Sequence, residues 1–406
     1  MNIFLSKTSI KKKSSIVITG SKSESNRLLL LQALYPQIKI ENLSNSDDSE
    51  IMQRALASTS EVIDIHHAGT AMRFLTAFFA IQEGREVILT GSSRMKERPI
   101  KILVDALNTL GANISYLEKE GFPPLMIKGK KLVANKISIQ ANTSSQYITA
   151  LLLVGSKLDK GIELTLEGEI TSVPYIKMTL ALLSEIGFQT TFEGKTIVVK
   201  PYQLEKTITL TVESDWSSAS YFYSIVALSE VGTQITLSSY KENSIQGDSA
   251  LAEIYKEFGV TTVFENKSIR LEKVSNQLSS LSFNLINSPD IAQTIAVTAF
   301  GLGLQCDLYG LHTLKIKETD RLEALKTEID KLGGEVEITQ DSLHLKPFSD
   351  KYNTVAIDTY DDHRMAMAFA PLALKTPIKI NDAEVVSKSY PGFWEDLKSI
   401  GFQISQ

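Results

Sequence analysis

Five amphipathic segments of this chain end in the same way, and that repetition limits the possible folds more than any other feature. LVDALNTLGANI, TLALLSEIGFQT, LAEIYKEFGVTT, LKTEIDKLGGEVE and FWEDLKSIGFQI each carry helix-spaced apolar positions, then an apolar residue, a glycine and a β-type run. The glycines are Gly111, Gly187, Gly259, Gly333 and Gly401, separated by 68 to 76 residues. Glycine just past the last periodic residue stops a helix, because it enters the left-handed conformation without a Cβ penalty. A segment of the same type near Asp47-Asp48 lacks the glycine. Self-similarity at a near-constant period means one supersecondary unit used repeatedly.

A second class of helix alternates with the first. SKSESNRLLLLQAL, GTAMRFLTAFFA, SSQYITALLLVG, SSASYFYSIVAL, PDIAQTIAVTAFGL and DDHRMAMAFAPLAL begin with small or polar residues and then become almost wholly apolar. Their openings fall at Lys22, Thr70, Ser145, Ser218, Asp290 and His363. Helices apolar on every side are buried ones. Between them lie strand-like runs such as SIVITG, EVILTG, TIVVK and TQITLSS. The pattern predicts an α/β (α+β) fold of six βαβα-type units, with buried helices packed inside sheets. The 406 residues are enough for two or three domains.

Several function classes are disfavoured. Lys plus Arg number 42 against 47 Asp plus Glu, a net charge of −5, which argues against a general nucleic-acid binder. The single cysteine, Cys306, leaves no internal disulfide and no cysteine-rich metal site; in its apolar stretch it reads as a buried thiol. The five histidines form no HExxH pair, and there is no P-loop and no GxGxxG, so neither metal nor nucleotide cofactor is expected. Apolar stretches such as Ile295 to Leu304 are about half the ~20 residues of a membrane helix. Ile3-Phe4-Leu5 is too short for a secretory signal. A cytoplasmic protein with no membrane partner is expected.

The chemistry is suggested by cations at helix openings. Helix N-termini carry free N–H groups and partial positive charge, so a cation there is disfavoured unless an anion binds. Yet Lys22 and Arg27, Arg73, Lys317 and Arg321, and His363 and Arg364 all sit at or near such openings, and Arg94, Lys96 and Arg98 precede another. For one such place, ordinary ion pairs are explanation enough; five in one chain point to anionic ligands. Ser144-Ser145-Gln146 opens a buried helix with hydroxyls that cap it or take a phosphate. Asp290 follows Pro289 as a cap or a proton acceptor, and Glu318 lies between Lys317 and Arg321 as a surface carboxylate or an acid/base group.

Taken in order, GSKSESNR (Gly20 to Arg27), AGTAMR (Ala68 to Arg73), RMKERPI (Arg94 to Ile100), SSQ (Ser144 to Gln146), KETDR (Lys317 to Arg321) and DHRMAM (Asp362 to Met367) closely resemble the 5-enolpyruvylshikimate-3-phosphate synthase family. The resemblance spans essentially the whole chain. It implies transfer of the enolpyruvyl group of phosphoenolpyruvate to the 5-hydroxyl of shikimate 3-phosphate, with release of phosphate. It also implies two similar domains, each of three βαβαββ units, which close over the substrates: residues 20–213, and 1–19 together with 214–406. The first would carry most of the shikimate 3-phosphate site. The second would carry the acid/base residues and much of the phosphoenolpyruvate site.

Carried over by motif, the resemblance assigns Lys22, Ser23, Arg27, Ser144, Ser145, Gln146, Ser172, Tyr175, Asp290, Thr313 and Lys317 to shikimate 3-phosphate. Lys22, Gly69, Thr70, Arg98, Gln146, Arg321, Arg364 and Lys388 fall to phosphoenolpyruvate. Asp290 would be the base for the hydroxyl, and Glu318 the proton donor to the methylene carbon, supported by Lys22 and His363. Asp48 reads as structural support. No cofactor or metal is implied, the partners are the two small substrates, and a monomer is expected. His67, Phe74, Thr313 and Asp361 depart from the usual family residues Asn, Pro, Asn and Asn. The alternatives are a UDP-N-acetylglucosamine enolpyruvyl transferase, which usually carries a cysteine in the loop matching GSSRMKERP, and a non-catalytic anion-binding protein of the same fold.

Overall fold

All five helix-stop glycines adopt the left-handed region: φ is +108° at Gly111, +117° at Gly187, +71° at Gly259, +100° at Gly333 and +122° at Gly401. The computed structural model describes residues 1–141, 144–276, 280–349 and 351–406. Contacts group the chain into two units, Met1–Gly20 with Glu213–Gln406, and Ser21–Val212.

Among the described residues the strands form six sheets, three in each unit. Five are four-stranded and share one plan, a parallel pair followed by two antiparallel pairings. A parallel pair requires a crossover, and the buried helices supply it. Lys136–Gln140 runs parallel to Ile162–Glu167, for example, with the helix Ser145–Gly155 between them in sequence.

The openings of two repeats are exchanged. Lys13–Ile16 leads directly into the helix Lys22–Leu34, yet it pairs with Gln234–Ser238. Ile208–Thr211 leads into the helix Trp216–Leu228, yet it pairs with Ile38–Glu41. The strand expected over SIVITG therefore ends at Ile16. Beyond it Val17 is exposed, and Gly20 forms an isolated bridge with Ser214.

The helices apolar on every side are buried, as expected. In Ala292–Gly301 all residues are buried. In Gly69–Ala80, Ser145–Gly155 and Trp216–Leu228 a single residue is not: Thr70, Gln146 and Ser217, the second position in each case. The same second position holds Ser23 in Lys22–Leu34, Gln293 in Ala292–Gly301 and Arg364 in His363–Phe369. Six core helices thus each carry a polar side chain in the first turn. Burying the rest of each helix stabilises the fold by roughly 1.5–3 kcal/mol per large apolar side chain.

Two local expectations change. LAEIYKEF is not one regular helix: a short α-helix, Leu251–Ile254, lies between the 3₁₀ turns Gly247–Ala250 and Tyr255–Phe258. The tighter 3₁₀ winding stacks side chains three apart, and the Tyr255 and Phe258 rings meet at 4.8 Å. KETDR does not open its helix at Lys317 either. The helix runs Arg321–Lys331, with the Asp320 carboxylate accepting from the N–H groups of Leu322 and Glu323.

One buried charge affects stability. Lys273 is 1% exposed, and its Nζ donates to the Phe258 carbonyl at 2.8 Å. Burial, with Lys375 adding to it, lowers the lysine from its usual 10.5 to about 8. Below pH 8 the folded protein therefore carries the full penalty of the buried charge. Between 8 and 10.5 the unfolded chain binds the extra proton and the penalty is relieved as pH rises. Lys273→Met is expected to remove this rise, on the order of 2–3 kcal/mol. Thermal unfolding midpoints of both proteins at pH 7.5, 9 and 10 check it; parallel curves would contradict the assignment.

Candidate active site

In the unit Ser21–Val212, five helix N-termini among the described residues carry polar side chains. Lys22 begins its helix, and its Nζ lies 3.4 Å from the Asp48 carboxylate. Asp48 itself sits in the first turn of Asp47–Ala57, capped by Ser46. The expected structural role of Asp48 is therefore specific: it holds the Lys22 ammonium.

Arg27, one turn further on, is buried. Its Nε donates to Thr179 Oγ1 at 2.9 Å and its Nη1 to the Ser23 carbonyl at 2.7 Å. Its Nη2 reaches Thr149 Oγ1 at 3.4 Å and the Tyr175 carbonyl at 3.3 Å. The Phe74 and Tyr175 rings lie 5.8 and 5.9 Å from the guanidinium carbon. Phe74, a departure from the family pattern, thus gives the guanidinium an aromatic face to rest on. Burial lowers Arg27 to about 10, against the pull of Tyr175 and Glu24. Most of its donors serve the protein, so Arg27 ties helices together.

Gln146 Nε2 donates to Thr70 Oγ1 at 3.3 Å, joining two second-position residues. Ser144 caps its helix by accepting from the Gln146 N–H, and Ser145 follows as a buried residue. Ser172 precedes Val173–Ile186 with φ +54°, an uncommon conformation for a residue with a Cβ. A Cβ on Gly69 would lie 2.5 Å from Arg98 Nη1, so only glycine lets that guanidinium rest on the start of the helix. Among the described residues Arg98 is bonded through its backbone N–H, to the Met95 carbonyl at 3.1 Å, and its guanidinium has no hydrogen bond or ion pair. Arg73 is different: it is buried and donates to the carbonyls of Gly69 and Pro99, so it acts as scaffold.

In the other unit, the groups expected to do chemistry converge on one guanidinium. Arg321, 2% exposed, donates from Nη1 to Asp290 at 3.0 Å, from Nη2 to Glu318 at 2.8 Å and from Nε to Asp362 at 2.6 Å. Burial works against its charge, but Asp362, Glu318 and Asp290 outweigh burial and raise its pKa above the ordinary value. Asp290 lies in the 3₁₀ turn Pro289–Ile291 ahead of its helix. Lys317 Nζ is 3.4 Å from Asp290 Oδ1, and Arg364 Nη2 is 3.2 Å from Oδ2. Asp362 also caps His363–Phe369 by accepting from the Arg364 N–H at 2.9 Å. His363 is buried beside it, with Nδ1 4.0 Å from the Asp362 carboxylate.

Lys388 ends a 3₁₀ turn and donates to the Asp361 carbonyl at 2.6 Å. Asp361 and Tyr360 both have positive φ, +56° and +54°, and the Tyr360 hydroxyl donates to Glu328. Asp shares with Asn a tolerance of that conformation, which accounts for Asp361 in a place where Asn is usual. The Thr313 hydroxyl is buried with no partner among the described residues.

Sequence reasoning missed the anchoring role of Asp362, and it missed Ser217 altogether. The signal for Ser217 was present: it occupies the register of Ser23, Thr70 and Gln146. Among the described residues no group of three or more His, Cys, Asp or Glu could hold a metal ion, and no helix is long and apolar enough to cross a membrane.

A family model described as EPSP synthase (3-phosphoshikimate 1-carboxyvinyltransferase) matches residues 53–397. A protein of Bacteroides fragilis (strain YCH46) named 3-phosphoshikimate 1-carboxyvinyltransferase is 46% identical over 397 residues, covering 97% of this chain and 96% of its own. One of the same name from Histophilus somni (strain 2336) is 36% identical over 419 residues, covering 95% and 96%. Among solved structures, EPSP synthase from Acinetobacter baumannii has the same fold, with a TM-score of 0.81 at 21% identity and complete coverage of both chains. The enolpyruvyl transferase NikO from Streptomyces tendae also shares it, at 0.74 and 13% identity, covering 100% of this chain and 98% of its own.

Proposed function

The chain belongs to the EPSP synthase (3-phosphoshikimate 1-carboxyvinyltransferase) family, and from that premise we infer that it transfers the enolpyruvyl group of phosphoenolpyruvate to the 5-hydroxyl of shikimate 3-phosphate. The observation that carries the reading is the pairing of Asp290 and Glu318 on one buried guanidinium, Arg321. An anion-binding protein needs the cations; it has no use for two carboxylates fixed together beside them.

In this reading the side chains of Ser21–Val212 take most of shikimate 3-phosphate: Lys22, Ser23, Arg27, Ser144, Ser145, Gln146, Ser172 and Tyr175. Thr313, Lys317 and Asp290 add to them, and the Thr313 hydroxyl, buried without a partner among the described residues, supports this. Phosphoenolpyruvate falls to Lys22, Gly69, Thr70, Arg98, Gln146, Arg321, Arg364 and Lys388. The Arg98 guanidinium resting against Gly69 supports this, since arginine binds carboxylate and phosphate in bidentate fashion.

Glu318 gives a proton to the methylene carbon, which leaves C2 cationic. The 5-hydroxyl attacks C2 while Asp290 takes the hydroxyl proton. The tetrahedral adduct then expels phosphate as Glu318 recovers the proton from the methyl carbon. Each carboxylate works within a few ångströms of Arg321, which stays charged throughout and steadies whichever one is ionised. Lys22 and His363 support the transfers. The enzyme acts in the cytoplasm as a monomer and uses no cofactor.

Phosphate release tests the function. Purified protein with phosphoenolpyruvate and shikimate 3-phosphate is expected to release phosphate, and with phosphoenolpyruvate and UDP-N-acetylglucosamine it is not. The reverse preference would move the chain to the sugar-nucleotide reaction, and release with neither would leave only anion binding.

A further inference from the structure

We propose that Ser217 and Asp248 are positioning residues for Arg364, forming a short relay that fixes its guanidinium at the Asp290 carboxylate. The proposal rests on the assignment of Arg364 to phosphoenolpyruvate and extends it to two residues outside the resemblance.

The geometry is directional. Arg364 Nη2 donates to Ser217 Oγ at 3.3 Å, and the Ser217 hydroxyl donates in turn to the Asp248 carboxylate. The same Nη2 lies 3.2 Å from Asp290 Oδ2. One nitrogen is therefore shared between the hydroxyl and the carboxylate. A guanidinium held on two sides cannot swing about its long stem without losing both. A hydroxyl passing a hydrogen bond from a cation to an anion has one orientation that satisfies both neighbours.

Asp248 is placed for this role. It is 5% exposed, in the 3₁₀ turn Gly247–Ala250, with its charge facing Arg364, Asp290 and Asp215. Burial, then Asp290, pushes its carboxyl up to about 7, while Arg364 and the Ser217 hydroxyl pull it down. The partners that favour the ionised form are thus the two members of the relay. A buried carboxylate is retained where it has specific partners to hold.

The repeat supplies an independent argument. Ser217 and Arg364 are second residues of their helices, as are Thr70 and Gln146 in the other unit. Both pairs are hydrogen-bonded at 3.3 Å. Ser217 is to Arg364 what Thr70 is to Gln146: a small hydroxyl residue that receives the long side chain of the neighbouring core helix. In the discontinuous unit the hydroxyl has a carboxylate behind it, as a cationic donor demands.

The test measures steady-state phosphate release for wild type, Ser217→Ala, Asp248→Ala and Asp248→Asn, varying each substrate with the other saturating. Ser217→Ala and Asp248→Ala are expected to raise the KM for phosphoenolpyruvate about tenfold, the size of one lost hydrogen bond to a charged group. The KM for shikimate 3-phosphate and the melting temperature should stay near those of wild type. Asp248→Asn keeps an oxygen that accepts from Ser217 and is expected to recover most of the affinity that Asp248→Ala loses. A phosphoenolpyruvate KM within about twofold of wild type in Ser217→Ala overturns the relay, as does an Asn variant as impaired as the Ala variant. Parallel shifts in both KM values and in melting overturn it too, since they mark a merely structural role. If Asp248→Ala does not fold, the half-buried Ser217→Ala decides. A wild-type protein that releases no phosphate sinks the functional reading, whereas active wild type with unmoved variants sinks the relay alone.

Discussion

Asp290→Asn is expected to lower turnover by about 10³-fold while leaving the affinity for shikimate 3-phosphate within a small factor of wild type. The amide matches the carboxylate in shape, so the 3₁₀ turn Pro289–Ile291 and the start of Ala292–Gly301 should persist. What is lost is the proton acceptor, along with the charge that gathers Lys317, Arg321 and Arg364. Removing a general base acts on the transition state, so kcat falls; the shikimate phosphate is held mainly by other groups, so binding survives. Phosphate release and isothermal titration with shikimate 3-phosphate measure the two quantities separately. Equal losses in both, or turnover within about tenfold of wild type, would remove Asp290 from the role of base.

The largest stability effect is expected at Arg321. Arg321→Ala removes the cation that Asp362, Glu318 and Asp290 share, although Asp290 keeps Lys317 and Arg364 beside it. Breaking a buried pair in this way destabilises by about 3–5 kcal/mol, because the remaining charge is left uncompensated. Asp362 suffers most, having no exposed side-chain surface. Arg321→Lys should recover only part of the loss, since an ammonium is a point charge and cannot span three carboxylates as a planar fork does. Activity should be absent in the Ala variant even where it remains folded. Denaturant titration against wild type reads the stability loss. The gap should narrow toward acid pH, where protonation spares the stranded carboxylates. A variant as stable as wild type at pH 7 would mean that the three ion pairs contribute no net stability.

Much of the architecture could be read from glycine and from apolar spacing. Gly111, Gly187, Gly333 and Gly401 stop helices where the repeat put them, and the six core helices are buried because their apolar residues leave no polar face. Such signals are local: a left-handed φ and a continuous apolar surface depend on neighbours within a turn or two. The exchange of opening strands was not legible, because Lys13–Ile16 is an ordinary strand whichever sheet accepts it. At the site, residue types were legible and partners were not. Lys22, Arg98, Asp290 and Arg321 stand out as charges at helix openings. That Asp362 anchors Arg321 across 41 positions of sequence is a tertiary fact with no local trace. Arg27 shows another limit: its motif position says nothing of the hydrogen bonds by which it also ties helices together.

Synthesis order gives the strand exchange a kinetic meaning. Residues 21–212 include the strand that completes their own sheets, Ile208–Thr211, so that stretch has all its partners once it has emerged from the ribosome. The first twenty residues have none by then. Phe4 waits for Lys379 and Ser405, and Ser14 for Ile235, so these residues acquire their strand partners long after they are made. A nascent chain therefore carries an unpaired strand through much of translation, and a short strand flanked by Lys11-Lys12-Lys13 is of the kind that disfavours pairing with other chains.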